Sequence, residues 1–149
     1  MTGVQTCALP IYVGSGAGFP GLALKLIAPD LRVTLIEARQ KKCAFLKEVA
    51  RQCGFTHLEV VAERFESWAA SLPLQPRAEL ITTRAVDMSP ELLQVVKKLL
   101  APSGRLVLFT TRRLTAGLGG APGWTWLPFN PYPSDPMRGV QVAINSNSF

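Results

Sequence analysis

Short apolar runs alternate with longer amphipathic stretches along the chain as far as Thr111. Runs of strand length lie at 8–14, 32–37, 58–62, 78–83 and 104–110. Between them, segments with helical spacing lie at 17–28, 39–53, 66–72 and 89–100. For the 39–53 helix the apolar set is Ala38, Cys43, Phe45, Leu46, Val49, Ala50 and Cys53, while Lys41, Lys42, Lys47 and Arg51 fall largely outside it. Ser89-Pro90 marks a helix start, with serine as the cap and proline at the first helical position. Pro102-Ser103-Gly104 ends that helix and turns into the next strand. Strands alternating with helices predict a parallel sheet covered on both faces. Within the first run, Pro10 has no N–H to give to a ladder, which is poor for a central strand.

After Thr111 the pattern changes. Gly117, Gly119, Gly120, Pro122 and Gly123 predict a flexible loop over 112–123. Trp124–Leu127 and Gly139–Asn145 each read as a strand, and Pro128, Pro131, Pro133 and Pro136 impose an extended connection between them. Of Trp124 and Trp126, at most one is expected in the core, the other covering the sheet edge.

Composition narrows the class. The 149 residues suggest one domain, and the 48% hydrophobic content supports a globular chain. No apolar run approaches the roughly 20 residues that span a bilayer, and no signal peptide is visible. A net charge of +6 favours an anionic partner. Cys43 and Cys53, ten residues apart on one helix, cannot pair and are expected to be reduced, buried thiols with no metal role. His57 is expected in a solvent-facing turn.

The candidate chemistry begins at Gly14-Ser15-Gly16-Ala17-Gly18-Phe19-Pro20-Gly21, between an apolar strand and an apolar helix. Glycines there let backbone approach a ligand and aim the free N–H groups of a helix start at it. Glu37, twenty-one residues beyond Gly16 and at the end of the next strand, can accept hydrogen bonds from ribose hydroxyls. Two cofactor classes fit. Gly16-x-Gly18-x-x-Gly21 matches the dinucleotide fingerprint of an NAD-dependent oxidoreductase, and Gly14-x-Gly16-x-Gly18 matches the loop of S-adenosylmethionine (SAM) methyltransferases.

Five pieces in order carry a closer resemblance: Val13 to Gly21, the helix after it, Pro29-Asp30, the strand ending in Glu37, and Lys41-Lys42-Cys43-Ala44-Phe45-Leu46. Together they resemble the RsmG (GidB) family, enzymes that methylate guanosine N7 in small-subunit ribosomal RNA. Further on, Thr82-Thr83-Arg84-Ala85 is similar to the same family's S-R-A. The resemblance implies an α/β, Rossmann-like SAM-dependent methyltransferase fold, mostly parallel, with a C-terminal antiparallel hairpin. It implies S-adenosyl-L-methionine as cofactor and no metal. The implied partner is 16S rRNA, in the small ribosomal subunit or its precursor, met by a cytoplasmic monomer without membrane contact. A truncated, non-catalytic SAM- or RNA-binding module is a further possibility for this chain.

The family's pattern assigns cofactor contacts to Gly14, Ser15, Gly16, Gly18, Phe19 and Glu37. Arg64-Phe65-Glu66 matches its adenine-covering segment, which makes Phe65 and Glu66 candidates, with Ala62 and Glu63 under a shifted alignment. Arg84 lines the cofactor or substrate side; the alternative is a surface pair with Asp87. Arg112 or Arg113 is a candidate phosphate contact, and Lys41, Lys42 and Lys47 read as a solvated helix face. Guanine N7 already carries a lone pair, so no catalytic base is required and none is assigned.

Residues 2–11, TGVQTCALPI, resemble a translated sequencing-library adapter, ACT GGA GTT CAG ACG TGT GCT CTT CCG ATC. One leftover T would turn the aspartate codon that the family carries at position 12 into that of Tyr12. Residues 1–11 are therefore expected to be foreign, 12–149 to form a single methyltransferase domain, and the family's N-terminal helical region to be missing.

Overall fold

Val33–Ile36 is an unbroken run of apolar and β-branched residues, and all four are buried. A strand buried on both faces needs a layer on each. The computed structural model supplies both; it describes residues 10–13, 18–73, 78–84 and 86–146, with 11–13 as backbone. The elements are β1 (Ile11–Val13), α1 (Gly21–Ile27), β2 (Val33–Ile36), α2 (Gln40–Gln52), β3 (Leu58–Val61), α3 (Phe65–Ser71) and β4 (Ala78–Arg84). There follow α4 (Pro90–Leu99), β5 (Leu100–Thr111), α5 (Arg112–Thr115), a 3-10 turn (Leu118–Gly120), β6 (Trp124–Trp126), β7 (Asn130–Tyr132) and β8 (Asp135–Asn145). On one face of the sheet Val33 and Leu35 pack with Leu46 of α2, flanked by Leu22 and Val60. On the other, Ile36 joins Phe65, Ile81, Leu93, Val96 and Leu106 in the larger core under α3 and α4.

The strand order is β3-β2-β1-β4-β5-β8-β6, with β7 paired to β8. Strands β1 to β5 are parallel. Strand β8 runs antiparallel to β5, and β6 and β7 both pair antiparallel with β8. The expected antiparallel ending is therefore present, with the long strand inserted beside β5 and the short β6 at the edge.

Local chemistry explains where elements begin. Ser89 Oγ accepts from the Leu92 N–H at 3.2 Å and Pro90 opens α4. Strand β1 starts only after Pro10, whose carbonyl accepts from the Thr34 N–H at 3.1 Å while its nitrogen has nothing to donate. Helix α1 starts at Gly21 rather than 17, because Gly18 takes φ +93°, outside the helical region. A Cβ on Gly18 would lie 2.3 Å from Leu22 Cδ1 and 2.9 Å from Leu46 Cδ2. Gly18→Ala should therefore destabilise the fold by about 1–2 kcal/mol, from backbone strain together with the clash. Urea unfolding of the two proteins checks this; equal midpoints would contradict it.

Several expectations are corrected. The 112–123 segment contains α5 and the 3-10 turn, and Thr111 Oγ1 accepts from the Leu114 N–H to start α5. The proline-rich connection contains β7. Trp124 is the one tryptophan of the pair in the core, as expected, but Trp126 lies on the same face, as residues two apart in a strand must, and packs half-buried against that core with its ring centroid 6.2 Å from that of Trp124. On α2, Cys43 and Leu46 are buried, whereas Phe45 and Cys53 are exposed. Lys25, embedded in the apolar run of α1, is completely buried, while Leu26 and Ile27 beside it face outward.

Candidate active site

Strand β1 lies between β2 and β4, and the chain crosses from β1 to β2 on one side and from β3 to β4 on the other. Open α/β sheets bind ligands at such a switch point, outside the carboxyl ends of the strands. Val13, the last residue of β1, pairs with Ile36 and Thr83 at that edge. Gly14, Ser15 and Gly16 lie outside the described residues. Buried Gly18 is the first described residue beyond them. Two clefts open at this edge.

The first follows β2 and β3. Glu37 is 7% exposed. The Arg39 N–H donates to its Oε1 at 2.9 Å, and the Cys43 thiol donates to its carbonyl at 3.0 Å, so the start of α2 fixes the carboxylate. Glu37, Glu63, Arg64, Phe65 and Glu66 line a cleft of about 210 Å³, with Ile36, Val86 and Leu92 as apolar lining. Glu37, Phe65 and Glu66 are thus brought together from two strand ends. Phe65 is both core residue and cleft wall, whereas Glu66 stands exposed in the first turn of α3. Glu63 lines the cleft too; Ala62 does not.

Burial, and secondarily the Glu37 carboxylate, push the Cys43 thiol above its ordinary value. Its reactive thiolate is correspondingly disfavoured. Iodoacetamide at mildly alkaline pH should alkylate exposed Cys53 and spare Cys43 until the chain is unfolded, as peptide mapping would read. Equal labelling of both in the native protein would contradict this.

The second cleft, of about 420 Å³, lies beyond β4 and β5 and is lined by Phe19, Arg84, Phe109, Leu114, Tyr132 and Arg138, among others. The Phe19 ring meets Phe109 edge-on at 5.3 Å, and the Arg84 guanidinium lies 5.7 Å from the Phe19 centroid. Among the described residues Arg84 makes no ion pair with Asp87. Phe19 and Arg84 therefore stand together, but in a different cleft from Glu37. The sequence pattern left Arg84 on the cofactor or substrate side and pointed neither to two clefts nor to Tyr132 and Arg138, which come from the late hairpin.

Arg112 is occupied: its Nε donates to the Pro136 carbonyl at 3.0 Å and its guanidinium lies 4.7 Å from the Phe129 centroid. Arg113, Lys41 and Lys47 are exposed, and so is His57, in its turn. The hydroxyls of Thr82 and Thr83 are buried and have no hydrogen-bond partner among the described residues. These two residues pair in register with Tyr12 and Val13, at the point where β1 leaves the sheet.

The family model for rRNA small subunit methyltransferase G matches residues 5–117. A "Ribosomal RNA small subunit methyltransferase G" of Dehalococcoides mccartyi is 38% identical over 107 residues, covering 72% of this chain and 46% of that protein. The protein of the same name from Acidothermus cellulolyticus is 40% identical over 123 residues, covering 76% and 53%. The chain thus spans about half the length of the curated relatives it matches. Among solved structures, cofactor-bound Rv0187 from MTB superposes with TM-score 0.78 at 16% identity, covering 96% of this chain and 75% of that one. SMU.1697c of Streptococcus mutans, in complex with SAH, gives 0.69 at 12%, covering 92% and 88%. An rRNA methylase from Streptococcus thermophilus gives 0.69 at 10%, covering 94% and 88%. The fold is that of the Rossmann-like methyltransferases.

Proposed function

The chain belongs to the rRNA small subunit methyltransferase G family, and from that premise we propose that it moves a methyl group from S-adenosylmethionine to N7 of a guanosine in small-subunit ribosomal RNA. The observation that carries this reading is the pair of clefts flanking the end of β1, the smaller lined by Glu37, Glu63 and Glu66, the larger aromatic and basic.

The first cleft suits an adenosyl group. Its apolar lining accepts a flat base, and a held carboxylate at the end of β2 accepts hydrogen bonds from a ribose diol. We assign Glu37, Phe65 and Glu66, with Gly14, Ser15, Gly16 and Gly18, to holding the cofactor. S-adenosylmethionine supplies, when bound, a methyl group on a positively charged sulfur. The chain's own residues have only to align the acceptor and exclude water, because guanine N7 attacks through a lone pair it already has. No residue is asked to take a proton, in keeping with a chain whose one histidine, His57, sits exposed in a turn. Arg84, held over Phe19, faces the acceptor side.

We also propose that 12–149 acts as one methyltransferase domain and that residues 1–11 are foreign to it. Residue 12 then stands where the family carries aspartate. Tyr12→Asp should tighten SAM by about tenfold, the scale of one charge-assisted hydrogen bond; unchanged affinity in a calorimetric titration would contradict that. The proposed substrate puts the protein in the cytoplasm, and among the described residues no helix is long and apolar enough to cross a membrane.

Calorimetry with S-adenosylhomocysteine and, separately, NADH tests the cofactor assignment. Binding of the first and none of the second is expected; the reverse would overturn the reading.

A further inference from the structure

The larger cleft has walls from three separate parts of the chain: Phe19 ahead of α1, Phe109 on β5 and Tyr132 on β7. Among the described residues its charged lining is Arg84 and Arg138, and none that lines it is acidic. The strand register explains the assembly. Arg84 pairs with Phe109, and Thr111 with Arg138, so these side chains project from the sheet face opposite the core of Leu106 and Leu108. The β7–β8 hairpin brings Tyr132 to the same place. Its strands approach so closely that a Cβ on Gly139 would fall 2.1 Å from the Asn130 carbonyl oxygen. The family match ends at residue 117, so Tyr132 and Arg138 lie beyond it.

An aromatic wall with arginines beside it has the chemistry of a single nucleotide. A base stacks on the rings whatever its sequence context, and a guanidinium grips the phosphate. The volume of about 420 Å³ lies in the range of small-ligand sites. Enzymes that act on a base take it out of its stack into such a pocket.

We infer that the β7–β8 hairpin completes an acceptor-nucleotide pocket, in which Tyr132 stacks on the target guanine and Arg138 holds its phosphate. This rests on the proposed reaction for its choice of RNA as the ligand. It assigns the two tasks to different atoms, and so they can be separated.

Fluorescence anisotropy of a short labelled single-stranded RNA with one guanosine tests this, using the full chain saturated with S-adenosylhomocysteine. A second RNA carries an abasic site in place of that guanosine. Tyr132→Leu should weaken the guanosine RNA about tenfold and leave the abasic RNA unchanged. Arg138→Ala should weaken both RNAs about tenfold and lower the salt slope by about one. Both variants should keep the parent's S-adenosylhomocysteine affinity and melting temperature. Parent-like RNA binding by both variants overturns the inference, as does a Tyr132→Leu loss that is equal for the two RNAs or a parent chain that binds no RNA. If the parent does not bind S-adenosylhomocysteine, the proposed reaction itself fails and the pocket assignment falls with it.

Discussion

Replacing Lys25 by methionine should lower the stability of the protein by about 3–5 kcal/mol, the scale of leaving buried carbonyls without their donor at about 1–3 kcal/mol each. Lys25 has no exposed surface. Its Nζ donates to three carbonyl oxygens: that of Pro29, that of Leu31 at 2.8 Å and that of Thr56 at 2.6 Å. An ammonium has three donors, so the group is fully satisfied. The three carbonyls sit in the segments entering β2 and β3, and Lys25 therefore ties the C-terminal end of α1 to the start of two adjacent strands. Methionine keeps most of the volume but leaves the carbonyls without their donor. For a chain of this size the loss corresponds to roughly 10–15 °C in melting temperature. Exposed Lys47 changed in the same way should stay within about 0.5 kcal/mol of the parent. Chemical denaturation of the three proteins decides it, and a Lys25→Met variant within about 1 kcal/mol of the parent, the cost of an ordinary substitution, would remove Lys25 from this role.

Glu37→Ala should weaken S-adenosylhomocysteine by about 30- to 150-fold, or about 2–3 kcal/mol, the scale of hydrogen bonds to a charged group. The carboxylate is positioned before any ligand arrives: Arg39 N–H holds one oxygen, and the Cys43 thiol holds the carbonyl of the same residue. That preorganisation means little ordering remains to oppose binding. Glu37→Gln retains an acceptor for Arg39 N–H but loses the charge, and it should fall between the parent and the alanine variant. Calorimetry on folded samples would show the series. Equal affinities across all three proteins would place the ribose elsewhere.

The same α1 residues show where sequence reading worked and where it stopped. Leu22-Ala23-Leu24-Lys25-Leu26-Ile27 reads as an apolar helix, and a helix forms. Which of its residues go inward was not legible, because three carbonyls from β2 and β3 approaches select the lysine over Leu26 and Ile27. Strand β2 and helix α4 were legible because their signals are local: an unbroken apolar run in one, Ser89-Pro90 in the other. Strand β7 was hidden because Asn130-Pro131-Tyr132 has little intrinsic strand character. It pairs only because β8 lies alongside, and proline is tolerated on such an edge. Glu37 could be found from its distance to the glycine run. Tyr132 and Arg138 could not, because their relation to Arg84 and Phe109 exists only through the register of β4, β5 and β8.

The proposed methyl transfer to guanine N7 is tested by following a labelled methyl group from S-adenosylmethionine into small-subunit RNA lacking its N7 methylation. The product is mapped by strand scission at 7-methylguanosine. Label in the RNA, confined to a guanosine that becomes sensitive to scission and reduced in Arg84→Ala, is the result predicted. Label appearing in protein, in a small molecule, or in RNA at a position that resists scission would contradict it.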